Sequence, residues 1–266
     1  MAIKFKKFLK ALARSADLPF ALEYGGASGG GKIQSFEWKG MRFHYRTGTS
    51  DAFVAYECIL HGRRNAYFSA NLPKQDAVRT IVDIGANVGA SVLFWKSLYP
   101  GARIHCFEPI PSNFDMLKRN CAALTDVTPH NEALGDKDGE ITFIHSPAGG
   151  NEGGWSVFQR GATGTEEKAT IAIKNSCGRL TGLGVARIDI LKVDTEGAEK
   201  MIIKGLGLDL LARTQYICGE LHGERDFELL DYLDTNGFHV GAKKAPKSVL
   251  FNFEAINKTA AAESGL

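Results

Sequence analysis

Two periods run through the hydrophobic positions of this chain. Apolar and polar residues first alternate, in Ser35-Phe36-Glu37-Trp38-Lys39 and in Met41-Arg42-Phe43-His44-Tyr45, which predicts a hairpin turning at Gly40. Residues 53–60 read as a short helix. From residue 80 onward the pattern becomes regular. Compact apolar runs at 80–84, 103–107, 127–131, 188–193 and 215–220 alternate with helical segments at 88–98, 111–123, 196–206 and 226–235. That alternation predicts an α/β fold, a parallel sheet with helices on both faces. Residues 132–187 depart from it. Phe238-His239-Val240 and Val249-Leu250-Phe251-Asn252-Phe253 read as a closing strand pair, and residues 259–266 as a disordered end. The expected division is an extension over residues 1–75 that packs on the rest, a ligand-binding domain over 76–256 and a tail over 257–266.

Composition narrows the class without naming it. At 266 residues, 44% hydrophobic and 23% charged, the chain can bury one full α/β core. A net charge of +2 gives no reason to expect nucleic acid or an acidic polymer as partner. No apolar run reaches the length of a membrane span. The cysteines Cys58, Cys106, Cys121, Cys177 and Cys218 are scattered, without a CxxC pair or metal-ligand spacing, so no metal is expected and a reducing, cytoplasmic setting is the simplest one. Lys4, Lys6, Lys7, Lys10 and Arg14 interleave with Phe5, Phe8, Leu9 and Leu12 at helical spacing. An accessory helix packed on the domain, or on a second subunit of a homo-oligomer, is favoured there over a helix on a membrane surface. Gly25-Gly26-Ala27-Ser28-Gly29-Gly30-Gly31 lacks the Gly-Lys-Ser/Thr ending of a phosphate-binding loop. The glycine-rich stretch 146–169 reads as a mobile substrate loop ahead of a plain insertion.

The chemistry concentrates at strand ends. Ile81-Val82-Asp83-Ile84-Gly85-Ala86-Asn87-Val88-Gly89 is a buried strand that breaks into a glycine turn, and Glu108 closes the next strand. Glycines let a backbone approach a ligand, and a carboxylate accepts from both hydroxyls of a ribose, so the pair predicts an adenosine site. The turn is Asp-x-Gly-x-Asn-x-Gly rather than the Gly-x-Gly-x-x-Gly that cradles a diphosphate. Asp83, Glu108, Asp194 and Glu220 would form an acidic rim suited to an ammonium and a sulfonium, which favours S-adenosylmethionine over NAD. The competing account gives Asp83 and Asn87 to turn formation and helix capping.

A second motif, Lys192-Val193-Asp194-Thr195-Glu196-Gly197-Ala198-Glu199, leaves a clear strand and predicts a helix from about Glu196. Either Asp194 sits beside the reactive end of the cofactor, or Asp194 or Thr195 merely caps that helix. In Glu220-Leu221-His222 two side chains point the same way. His222 titrates near neutrality in its ordinary state and is the preferred base for an alcohol acceptor. The opposing account makes His222 a surface loop residue and pairs Glu220 with Arg225.

Val82-Asp83-Ile84-Gly85-Ala86-Asn87-Val88-Gly89, Phe107-Glu108-Pro109, Glu132-Ala133-Leu134-Gly135-Asp136 and the 192–199 motif together resemble the FkbM-type methyltransferases, in the same order. The resemblance implies a Rossmann-like class I methyltransferase fold, mostly parallel with an antiparallel last strand. It implies S-adenosylmethionine as cofactor and a hydroxyl oxygen of a sugar or other natural product as acceptor. By position, Asp83, Gly85, Asn87 and Gly89 would line the methionine part. Glu108, followed by Pro109, would hold the ribose. The Asn131-Glu132-Ala133 turn would face the adenine, and Asp194 and Glu196 would sit near the transferred methyl. Three other functions compete: an NAD(P)-dependent oxidoreductase, a nucleic-acid methyltransferase and a non-catalytic cofactor-binding protein. The second of these would carry Asp/Asn-Pro-Pro-aromatic where this chain has Asp194-Thr195-Glu196-Gly197.

Overall fold

A computed structural model describes residues 4–27, 30–62, 65, 67–145, 167–244 and 250–259. The chain opens with α1 (Phe5–Ser15) and α2 (Leu18–Tyr24), then the hairpin β1 (Ile33–Trp38) and β2 (Met41–Arg46), which turns at Gly40 as predicted. The helix expected at 53–60 is α3 (Asp51–Ala55) running on into a π-helical turn, Tyr56–Leu60.

Then come β3 (Thr80–Ile84), α4 (Ala90–Leu98), β4 (Arg103–Phe107), α5 (Pro111–Cys121) and β5 (Val127–His130). The irregular region contains a small sheet of β6 (Ala133–Gly135), β7 (Gly139–His145) and β8 (Glu167–Asn175), followed by α6 (Ser176–Gly182). Most of the supposed substrate loop, residues 146–166, lies outside the described residues, and 167–169 begin β8. The chain returns through β9 (Ile188–Val193), α7 (Glu199–Lys204), α8 (Gly207–Ala212), β10 (Thr214–Leu221), α9 (Glu228–Thr235), β11 (Phe238–Lys244) and β12 (Phe251–Asn257). Residues 249 and 260–266, read as part of the last strand and as the tail, are outside the described set.

The main sheet has the order β11-β12-β10-β9-β3-β4-β5. The strands from β5 to β10 pair in parallel, whereas β12 enters antiparallel between β10 and β11. Its central strands are apolar on both faces because both faces are covered. Val82, Ile84, Leu191, Val193 and Ile217 share one core with residues of α7, α8 and α9. Ile81, Ile104, Cys106, Ile190 and Cys218 share the other with α4, α5 and the N-terminal helices and hairpin. Cys58, Cys106, Cys121 and Cys218 are buried free thiols.

The extension is built into this second core. Phe20 packs against Phe36 at 4.4 Å and edge-on against Tyr45 at 5.4 Å. Asn120 on α5 accepts from the His44 N–H at 2.6 Å and donates to the carbonyls of His44 (3.0 Å) and Val88 (2.7 Å). One amide side chain thus ties the hairpin to the turn after β3. Because β3 pairs with β4 on one side and β9 on the other, the chain reverses its winding direction there, and the crevice beyond the carboxyl ends of these strands is the expected ligand position.

Candidate active site

The turn after β3 is shaped by packing from below. Gly85 has φ +79°, and a Cβ there would lie 1.8 Å from the Asp194 carbonyl oxygen. Only glycine lets the β3 turn and the tip of β9 touch. Four amides of this turn are spent within the protein: those of Gly85 and Ala86 donate to the Phe107 carbonyl, that of Gly89 to Ala86, and that of Asn87 to Glu108 Oε2 at 2.9 Å. A diphosphate would need such amides free.

Glu108 stands at the tip of β4, its other oxygen accepting from the Ile110 N–H at 2.9 Å. Burial pushes its carboxyl up to about 7, against the lowering effect of these two amides. Asn131 donates to the carbonyls of Glu108 (2.9 Å) and Pro109 (3.0 Å), fixing the exit of β4. Glu132 holds Arg179 of α6 with two contacts of 2.6 Å, and Ala133 begins β6. The side chains of this turn therefore brace the wall beside Glu108.

Asp83 does not join the rim. Its side chain is closed off from water, 3.2 Å from Lys192 Nζ, and among the described residues its carboxylate has no hydrogen bond. Lys192 in turn donates to the carbonyls of Gly85 (2.5 Å) and Ile84 (3.3 Å). Burial alone would lower the Lys192 pKa, but the charges of Asp83 and Asp194 outweigh it and the net direction is upward. Asp83 acts on the turn through this lysine. The Lys192 ammonium also lies 5.4 Å from the centre of the Tyr67 ring, and the Tyr67 hydroxyl donates to Asp194 Oδ2 at 2.8 Å. Sequence reasoning missed both residues. A lysine inside the apolar run Ile188-Asp189-Ile190-Leu191-Lys192-Val193 was a legible signal, because such a charge requires a buried partner. Nothing marked Tyr67.

The helix after β9 starts at Glu199, three residues later than expected. Glu196 and Gly197 have φ of +59° and +115°, which a helix cannot accommodate. Neither Asp194 nor Thr195 caps α7. Instead Glu199 reaches back, its Oε1 accepting from the Thr195 N–H (2.8 Å), the Thr195 hydroxyl (3.2 Å) and the Gly197 N–H (3.2 Å).

The resulting bulge carries Glu196 over His222. His222 Nε2 lies 3.4 Å from Glu196 Oε2 and 3.4 Å from Glu220 Oε1, and its Nδ1 lies 3.6 Å from Glu199 Oε1. Glu220 and His222 do share one side, as their spacing predicts. His222 is not a surface loop residue, since its side chain is 1% exposed. Nor does it titrate near neutrality. Burial favours the neutral ring, but Glu220, Glu199, Glu196 and Asp194 together push His222 up to about 9. The physical reason is the number of carboxylates, which the sequence did not bring together. Burial raises Glu220 above the usual carboxylate range. The side chain of Arg225, its proposed partner, lies outside the described set.

Strand order, the antiparallel β12 and an acid at the tip of β4 define a class I methyltransferase fold. The Methyltransferase FkbM domain matches residues 83–240, and the chain belongs to that family. It is 34% identical over 173 residues to Methyltransferase sdnD of Sordaria araneosa, covering 53% of this chain and 64% of that protein. It is 27% identical over 217 residues to the 31-O-demethyl-FK506 methyltransferase FkbM of Streptomyces tacrolimicus, covering 68% and 79%. It is also 27% identical over 166 residues to the hexuronic acid methyltransferase AglP of Haloferax volcanii, covering 58% and 64%. The chain thus spans less than two thirds of the length of two of these three relatives.

Proposed function

We propose that this protein transfers a methyl group from S-adenosylmethionine to a hydroxyl oxygen of a sugar or other small natural product. The observation that carries the reading is the disposition of acids about the β3 turn. Glu108 stands at the tip of β4 on one side, Asp194 and Glu220 at the tips of β9 and β10 on the other, and four amides of the turn between them are already bound within the protein. A ribose fits the first acid, and an ammonium and a sulfonium fit the others. When bound, this cofactor supplies an electrophilic methyl group. The names of two relatives, one acting on a hexuronic acid and one on a demethylated FK506 oxygen, support the acceptor class.

Methyl transfer from a sulfonium is an in-line displacement, so the protein mainly has to align the acceptor and keep water out. Gly85, Asn87 and Gly89 shape the turn against the methionine part, and Asn131, Glu132 and Ala133 wall the adenine side. Asp83 serves from beneath through Lys192. The acceptor proton goes to the carboxylates of Asp194 and Glu220 rather than to His222. Glu220 keeps 23% of its side chain exposed, whereas the His222 ring is covered. Glu196, 30% exposed, lies 3.4 Å from His222 Nε2.

Thermal unfolding with S-adenosylhomocysteine and with NAD tests the cofactor. Stabilisation by the former is expected, and stabilisation by NAD alone would overturn the reading in favour of an oxidoreductase. Release of S-adenosylhomocysteine with hydroxylated sugars and polyketides tests the reaction. Binding without release for every acceptor would point to a non-catalytic protein.

A further inference from the structure

We infer that Asp194, Glu220 and His222 form a binding site for a divalent cation of the manganese or magnesium kind. A ligand atom from each lies within 4.8 Å of the others. Octahedral ions with bonds of about 2.1 Å, and calcium-like ions with bonds of about 2.4 Å, hold their ligand atoms at about 3 to 4.8 Å from one another.

An acidic cluster alone would carry little weight, but the imidazole adds an independent observation. Its side chain is 1% exposed, and neither ring nitrogen has a hydrogen-bond partner among the described residues. The approaches of 3.4–3.6 Å to three carboxylates exceed the roughly 2.7–2.9 Å of a charge-assisted hydrogen bond. A buried ring that stops short of these carboxylates leaves its own nitrogens unsatisfied. A cation bonded to the oxygens of Asp194 and Glu220 would give Nε2 the partner it lacks. It also offsets the negative charge that Asp194, Glu196, Glu199 and Glu220 gather around one imidazole.

The supports that orient metal ligands are present as well. Glu199, held by three donors from Thr195 and Gly197, lies 3.6 Å from Nδ1, so the ring has an acid beside the nitrogen that the cation would not use. Tyr67 fixes Asp194 through Oδ2. Two carboxylates and one imidazole form a mixed, mainly oxygen donor set, which suits manganese or magnesium better than a thiolate-seeking ion. A second grouping, Glu199, His222 and Asp226, is the weaker choice because its carboxylates are already engaged by backbone N–H groups. Sequence spacing suggested no metal, since the ligands come from the ends of two different strands.

The role of such a cation rests on the proposed methyl transfer: bound beside the acceptor, it would draw the hydroxyl oxygen in and make its proton easier to lose. Its existence does not depend on that reaction. The test uses the full chain, stripped with chelator and titrated with manganese chloride. Free Mn2+ is followed by electron paramagnetic resonance and heat by calorimetry, with no methyl donor or acceptor present. One saturable equivalent, displaced by magnesium, is expected. Glu220→Gln and Asp194→Asn, each folded by circular dichroism, should weaken it at least tenfold, and Glu37→Gln on the hairpin should not. Absence of saturable binding, or binding indifferent to both site substitutions, overturns the site. Should either variant fail to fold, crystals of the unaltered protein grown with manganese decide. An anomalous peak between the three side chains supports the site, and a peak elsewhere or none overturns it. Manganese bound without any methyl transfer would refute only the proposed reaction.

Discussion

Lys192 Nζ lies 3.2 Å from Asp83 Oδ1 in the interior of the sheet, with the two side chains 1% and 0% exposed. Removing one charge strands the other in a region without water, and such losses cost roughly 3–5 kcal/mol. Lys192→Met and Asp83→Leu should each lower the unfolding free energy by about that much. The double variant should recover most of it, because two apolar side chains of similar volume suit the core. A double-mutant cycle by chemical denaturation checks this, and purely additive losses would show that the two residues do not act as a pair.

In the proposed binding mode Glu108 would link cofactor binding to protons. The carboxyl is pushed from 4.5 up to about 7, and only its ionised form could accept from both hydroxyls of the proposed ribose. Affinity for S-adenosylhomocysteine should therefore rise with pH and level off above about 7, and Glu108→Gln should bind more weakly and lose the slope. Ligand-free stability has the opposite dependence. A carboxyl raised by folding takes up a proton on folding, so its contribution is present below 4.5 and lost as the pH climbs to about 7. Calorimetric titration and denaturation midpoints across this window measure both.

Gly85→Ala places a methyl group 1.8 Å from the Asp194 carbonyl at φ +79°. Backbone cannot yield as a flexible side chain can, so a loss of more than about 3 kcal/mol is expected. Chemical denaturation will show it, and a loss below about 1 kcal/mol would mean that the turn and the β9 tip are not in contact.

Tyr67→Phe removes one hydroxyl and keeps the ring over Lys192. Stability should change by about 1 kcal/mol. Turnover should fall about tenfold or more as Asp194 loses its orienting donor, with a smaller loss of affinity for S-adenosylhomocysteine. Equal losses in turnover and cofactor affinity would point to a general disturbance of the crevice instead.

The fold was legible because buried parallel strands leave uninterrupted apolar runs, and β3, β4, β9 and β10 did so. Glu108 was legible too, since an acid ending such a run stands out. The site's inner support was not. Tyr67 comes from a segment with no periodicity, and the pairing of Lys192 with Asp83 depends on neighbouring strands separated by most of the domain. The bulge at Glu196 and Gly197 was misread as helix, because a positive φ leaves no mark on hydrophobic spacing. The gathering of carboxylates around His222 followed from that bulge, and with it went the expected near-neutral base.

The hydroxyl that Tyr67 gives to Asp194 also bears on where the molecule can be cut. Residues before 76 read as an extension packed on the rest, yet one of them reaches Asp194 at the tip of β9 and their side chains fill the same core as α4 and α5. A fragment beginning at β3 would keep every recognisable motif, lose its grip on Asp194 and open half of its interior to solvent.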